Sequence, residues 1–186
     1  MVDIFTSTFS SNSLGSSVDR LIKWNNAKFS FVILNVDGSC LGSPARAGYG
    51  ELIRNNSGFY LSGFSGFIKE SYDIMIAELY AIYQGLTLAK DLAVEELVCY
   101  SDSLLCINLL KGLIVKYHVH AVLIQDIKEL ISQSNVTLCH TLGEENQCVN
   151  FLAKLGASAD ADILIHVSPP KYILDLLRSD SCGTFY

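Results

Sequence analysis

"FSFVILNVDGS", residues 29–39, decides the fold. Its apolar residues run on without alternation and stop at Asp37-Gly38-Ser39. A continuous apolar run bounded by turn residues has the profile of a strand buried on both faces. Working outward, "GSPARAG" (42–48) is a turn-rich connection and "YGELIRN" (49–55) a second strand. "NSG" (56–58) reads as a hairpin turn in which Gly58 is free to take positive φ. "FYLSGFSGFI" (59–68) follows as a third strand. Strands joined in succession by short links predict an antiparallel meander.

Beyond the meander the period changes from strand to helix. Ser71 is a plausible N-cap for a long helix, "YDIMIAELYAIYQGLTLAKDL". Its apolar stripe runs Ile74, Ala77, Ala81, Gly85 and Leu88. "EELVCYSD" is a short strand ending in an acid, and "SLLCINLLKG" a helix stopped by Gly112. "HVHAVLIQDIKELISQS" is a further helix with Ile124, Ile127 and Ile131 on its inner face. "VTLCHTL" is a fifth strand, and "NQCVNFLAKLGAS" a helix ending at Gly156. A strand, a helix and another strand in one sheet imply a right-handed crossover and parallel pairing. The expected fold class is therefore α/β: a mixed five-stranded sheet, antiparallel in β1-β2-β3 and parallel in β4 and β5, with helices on both faces. The tail is broken by Pro169 and Pro170, and its "YILDLLRSD" could form a short docking helix.

The chain has 186 residues, half of them hydrophobic, which suits one domain with a sizeable core. No apolar run reaches the length of a membrane span. The first 23 residues are Ser/Thr-rich with no basic-then-apolar order, so they read as a flexible leader rather than a secretory signal. Six cysteines without a C-x-x-C pair suggest reduced thiols in an intracellular protein, nuclear or cytoplasmic. Net charge is −6, with 13 Lys and Arg scattered singly, so no basic patch announces unaided binding to a phosphate backbone. No G-x-G-x-x-G or Walker A run follows any strand, which argues against a nucleotide-binding doubly wound domain.

The carboxylates are more informative. Asp37 ends the first strand and Asp102 the fourth, where sites form in α/β sheets. Each alone could be a strand-terminating or helix-capping Asp. Glu78 sits on the apolar stripe of the long helix, and a buried Glu needs a partner. The only basic residue in that helix, Lys90, is about three turns away. Three acids from a strand end, a helix face and a second strand end could converge, and would then repel one another and raise their pKa values. A divalent cation relieves that repulsion, and oxygen ligands favour Mg²⁺ or Mn²⁺ over zinc. A pair of such ions suits in-line hydrolysis of a phosphodiester.

"LNVDGSCLGSPARAGYGELIRNNSG", "AELYAIYQGLTLA", "VCYSDS" and "EENQCVNFLAKLG" resemble the ribonuclease H type-1 family. Within it they are most similar to the reverse-transcriptase-like domains common in plants, often derived from non-LTR retrotransposons. The resemblance covers about Trp24 to Gly156 and divides the chain into a leader (1–23), a ribonuclease H-like domain (24–157) and a C-terminal extension (158–186). It implies metal-binding acids at Asp37, Glu78 and Asp102. It also implies a histidine assisting product or metal release at His140, and substrate contacts at Gly38, Ser39 and Ser103. The family's fourth acid lies in an E-x-N-x-x-x-D pattern, which reads here Glu144, Asn146, Asn150. Asn150 thus stands in place of an aspartate, a weak fourth ligand through its carbonyl oxygen.

The resemblance implies a monomeric endoribonuclease cutting the RNA strand of RNA–DNA hybrids with two Mg²⁺ or Mn²⁺ ions, and needing no membrane or small-molecule cofactor. The site loses one negative charge at Asn150, which should weaken the second ion most. Positions just before Glu78, polar in many active members, are Ile74, Met75 and Ile76 here, and the connection "KGLIVKYH" offers only Lys111 and Lys116. These departures predict weakened activity. The rival expectation is a catalytically degenerate domain kept as a transposon-derived fragment or interaction module.

Overall fold

The computed structural model describes residues 31–112 and 119–182. The expected leader and Lys116 lie outside the described residues. Strands β1 (Val32–Leu41), β2 (Arg46–Asn55) and β3 (Tyr60–Ile68) form the antiparallel meander. Helix α1 (Ile74–Asp91) leads to β4 (Leu97–Ser101), α2 (Leu104–Lys111), α3 (Ala121–Ser132) and β5 (Val136–His140). A single 3-10 turn, Gly143–Glu145, precedes α4 (Gln147–Ser158), and β6 (Leu164–His166) and α5 (Lys171–Cys182) complete the described chain. The strand order is β5-β4-β1-β2-β3-β6, with β4 parallel to both β1 and β5. No helix among the described residues is long and apolar enough to cross a membrane.

The sheet has six strands rather than the five expected. Leu164–His166 pairs antiparallel with Gly63–Ser65 at the open edge of β3. Three residues are too short to show a strand period, and pairing with a preformed edge creates this strand. The meander turns also differ. β1 runs on to Leu41 and β2 begins at Arg46, so only 42–45 turn and the rest of "GSPARAG" is strand. Gly58 does take positive φ, at 80°.

Two helices clamp opposite faces of the sheet, and glycines let them close in. A Cβ on Gly38 would lie 2.4 Å from the Glu78 backbone N, so α1 rests directly on β1. A Cβ on Gly50 would lie 2.4 Å from the Ala153 backbone N, so α4 rests on β2 in the same way. Gly50 is the cross-strand partner of Asp37, while Gly38 pairs with Tyr49, so successive residues of β1 serve alternate helices. The α1 face carries the main core, including Leu34, Val36, Tyr49, Phe64, Ile82 and Ile124, all at most 1% exposed. On the α4 side Leu52, Cys148, Val149 and fully buried Ile173 form a second cluster, which fastens α5.

The N-cap of α1 is Asp73, not Ser71: its side chain accepts from the Met75 backbone N–H. A carboxylate at a helix N-terminus also meets the positive end of the dipole, whereas the Ser71 hydroxyl is buried without a partner. Ile74, expected on the inner stripe, is half exposed at the first turn of α1.

Candidate metal centre

Parallel pairing of β1 with β4 runs from Val32↔Leu97 to Val36↔Ser101. The next residues are Asp37 and Asp102. Both acids therefore emerge where the ladder ends, the position at which an open α/β sheet offers a crevice. Glu78 arrives from α1 on the far side, and its Oε2 accepts a 3.1 Å hydrogen bond from the Gly38 backbone N–H. One carboxylate oxygen from each of Asp37, Glu78 and Asp102 lies within 4.8 Å of the others. The only such group of three or more potential ligands among the described residues is this one.

The electrostatics follow from burial and crowding. Burial pushes the Asp37 carboxyl up to about 9, with Glu78, Asp102 and a hydrogen bond to Asp102 adding to the rise and Lys154 opposing it. Burial and the Asp102 charge push Glu78 up to about 8, against the pull of the Gly38 N–H. Like charges held this close favour protonation unless a cation neutralises them. The donor set fits a hard divalent ion: three carboxylates and no soft or nitrogen ligand among them.

Of the remaining expected residues, His140 and Ser103 neighbour Asp102, while Gly38 and Ser39 follow Asp37 along β1. His140 is the last residue of β5, and its Nε2–H donates to the Asp102 backbone carbonyl at 3.2 Å. The Gly38 N–H is engaged by Glu78, and Ser39 is buried next along β1. Ser103 caps α2, its Oγ accepting from the Cys106 backbone N–H. Asn150 is half-buried early in α4, one turn before Lys154. A cavity of about 270 Å³ opens beside Glu78 and Asp102, between the first turns of α1 and α2.

Two contributors, Lys154 and Gly143, and the packing role of Asn146 were not read from the sequence. Lys154, one turn after Asn150, places a positive charge within reach of Asp37; the i,i+4 spacing on α4 is the signal that could have found it. Gly143 brings the loop before α4 against the site, where a Cβ would sit 3.3 Å from Asp102 Oδ2. Asn146 is 1% exposed; its Nδ2 donates to the Val36 backbone carbonyl at 3.0 Å, and its Oδ1 accepts from Asn35 Nδ2 at 3.4 Å. It pins the start of α4 to the backbone just ahead of Asp37.

Residues 35–156, more than half the chain, match a family model described as reverse transcriptase-like. An Arabidopsis thaliana protein provisionally named a ribonuclease H protein is 27% identical over 168 residues, which are 90% of this chain and 27% of that protein. The chain thus spans about a quarter of that relative's length. Among solved structures, the N-terminal ribonuclease H domain of a Mycobacterium tuberculosis protein aligns with a TM-score of 0.62 at 23% identity, covering 69% of this chain and 94% of that one. The ribonuclease H1 of the archaeon Halobacterium salinarum aligns with a TM-score of 0.62 at 20% identity, covering 69% and 98%. A ribonuclease H1 isolated from compost, in complex with an RNA/DNA hybrid, gives 0.60 at 23% identity, covering 68% and 96%. These likenesses show a ribonuclease H-like fold.

Proposed function

The chain belongs to the reverse transcriptase-like family, and from that premise we propose that it is a metal-dependent endoribonuclease acting on the RNA strand of RNA–DNA hybrids. The observation that carries this reading is the convergence of Asp37, Glu78 and Asp102 within 4.8 Å at the end of the β1–β4 ladder. Residues 24–157 form the proposed catalytic unit, working inside the cell as a monomer.

Asp37, Glu78 and Asp102 hold Mg²⁺ or Mn²⁺, two ions in the active state, with the Asn150 carbonyl oxygen as a weak fourth ligand. Bound there, the ions supply an activated water and neutralise charge on the leaving oxygen. The Gly38 N–H fixes the Glu78 carboxylate, and Asn146 fixes the helix that carries Asn150. His140, held to the Asp102 backbone, assists product release. Gly38, Ser39 and Ser103 lie beside the acids as substrate contacts.

Asn150 makes the site one charge poorer, and the nearby Lys154 makes it less attractive still to a second cation. Charge pairs at about 4 Å near a protein surface interact by roughly 4 kcal/mol. Those two residues favour weak activity, and they also support the second reading, a degenerate domain retained for interaction. A cleavage assay on a labelled hybrid, in Mg²⁺ and separately in Mn²⁺, divides the readings. The expected outcome is slow cleavage by the wild type and roughly tenfold or greater acceleration by Asn150→Asp. Silence from both proteins in both metals would favour the degenerate domain.

A further inference from the structure

The cavity beside the acids has walls of a different character from its floor. Glu78 and Asp102 line it together with Ile74, Met75, Leu105 and Ser103. Ile74 is 50% exposed and Leu105 56%, so both apolar side chains already stand in water at the rim. Leu104, beside them, is exposed as well. Among the lining side chains only the Ser103 hydroxyl can donate a hydrogen bond without carrying a shared carboxyl proton. Its oxygen is occupied by the Cys106 N–H.

If Asp37, Glu78 and Asp102 hold a phosphodiester through a divalent ion, the reading on which this inference rests, the cavity lies directly beside the held phosphate. It shares Glu78 and Asp102 with that group, so a nucleoside attached to the phosphate enters it or crosses its mouth. The walls suit some parts of a nucleotide and not others. A 2′-hydroxyl or a phosphate pressed against Ile74, Met75 and Leu105 gives up water and gains no partner. The face of a base loses nothing by the same contact and removes apolar surface of both partners from water. In a continuous duplex that face is covered by its stacked neighbours, so only an unpaired nucleotide can present it. At about 270 Å³ the cavity has room for a base.

We propose that the cleft between Ile74, Met75 and Leu105 receives the unpaired base next to the phosphate held by the acids. The preferred ligand is then an RNA–DNA hybrid interrupted by an unpaired RNA nucleotide. The low density of basic residues fits this preference, since recognition draws on base burial where electrostatic grip is scarce.

The test is equilibrium binding of the full chain in Ca²⁺ to three labelled hybrids: a continuous one, one with a single-nucleotide RNA bulge, and the same bulge with an abasic sugar. The expected result is roughly tenfold tighter binding of the bulged hybrid, with the abasic form falling back to the continuous value. Leu105→Ser and Ile74→Asn, each at a half-exposed position that leaves the core intact, should abolish the preference while still binding the continuous hybrid. Equal binding of the base-containing and abasic bulges, or a preference that survives both substitutions, would overturn the inference alone. Absence of divalent-dependent binding to every hybrid would overturn the reading of the acids, and this inference with it.

Discussion

Glu51 buries a carboxyl on the α1 face of the sheet, 1% exposed, with no hydrogen-bond partner for Oε1. Burial pushes it from 4.5 up to about 8. The folded chain therefore keeps a proton that the unfolded chain has released. Stability is full below about 4.5, falls as pH rises through about 8, and is level above that. Glu51→Gln removes this slope. The variant should gain on the wild type between pH 5 and pH 8, by on the order of 2–4 kcal/mol, in urea melts without added metal. Asp37 and Glu78 impose slopes of the same sign, but both proteins share them and they cancel in the difference. Parallel wild-type and variant curves would show that Glu51 is already ionised in the fold. The sequence did not single out Glu51, although it shares the face of Ala47, Tyr49 and Ile53 along β2. Only the cover of α1 over that face turns it into a buried acid.

At the level of elements, the close seat of α1 on β1 brings Glu78 to the strand-end acids. Gly38→Ala would place a methyl 2.4 Å from the Glu78 backbone N and 2.5 Å from the Ala77 carbonyl carbon. Backbone cannot move aside as a flexible side chain can. The expected cost is about 1–3 kcal/mol, read from chemical denaturation, with loss of any metal-dependent stabilisation as the helix lifts. An unchanged stability would mean that α1 has freedom the structure does not show. Most elements were legible from period and length: the apolar run of β1, the helical stripe from Ala77 to Leu88, and the glycine stop after α2. What escaped depended on tertiary context. β6 exists because β3 has an open edge.

For the whole molecule, the sheet collects acids from three distant parts of the chain, and the same collection makes the apo fold bear the cost. Sequence order could nominate Asp37, Glu78 and Asp102 because each sits at a strand end or on a buried helix face. Spacing from Asn150 could nominate Lys154, but its reach to Asp37 and the approach of Gly143 both depend on how α4 and its preceding turn close over the sheet end. The acidic chain, with net charge −6, puts the burden of phosphate binding on the ions rather than on lysines and arginines. Everything proposed therefore hinges on cation binding by the three carboxylates. Isothermal titration calorimetry with Mn²⁺ at pH 8, on the wild type and on Asp37→Asn, measures it directly. The account predicts saturable binding to the wild type that weakens at least roughly tenfold in the variant. Equal binding by the two proteins, or none by the wild type, would contradict it.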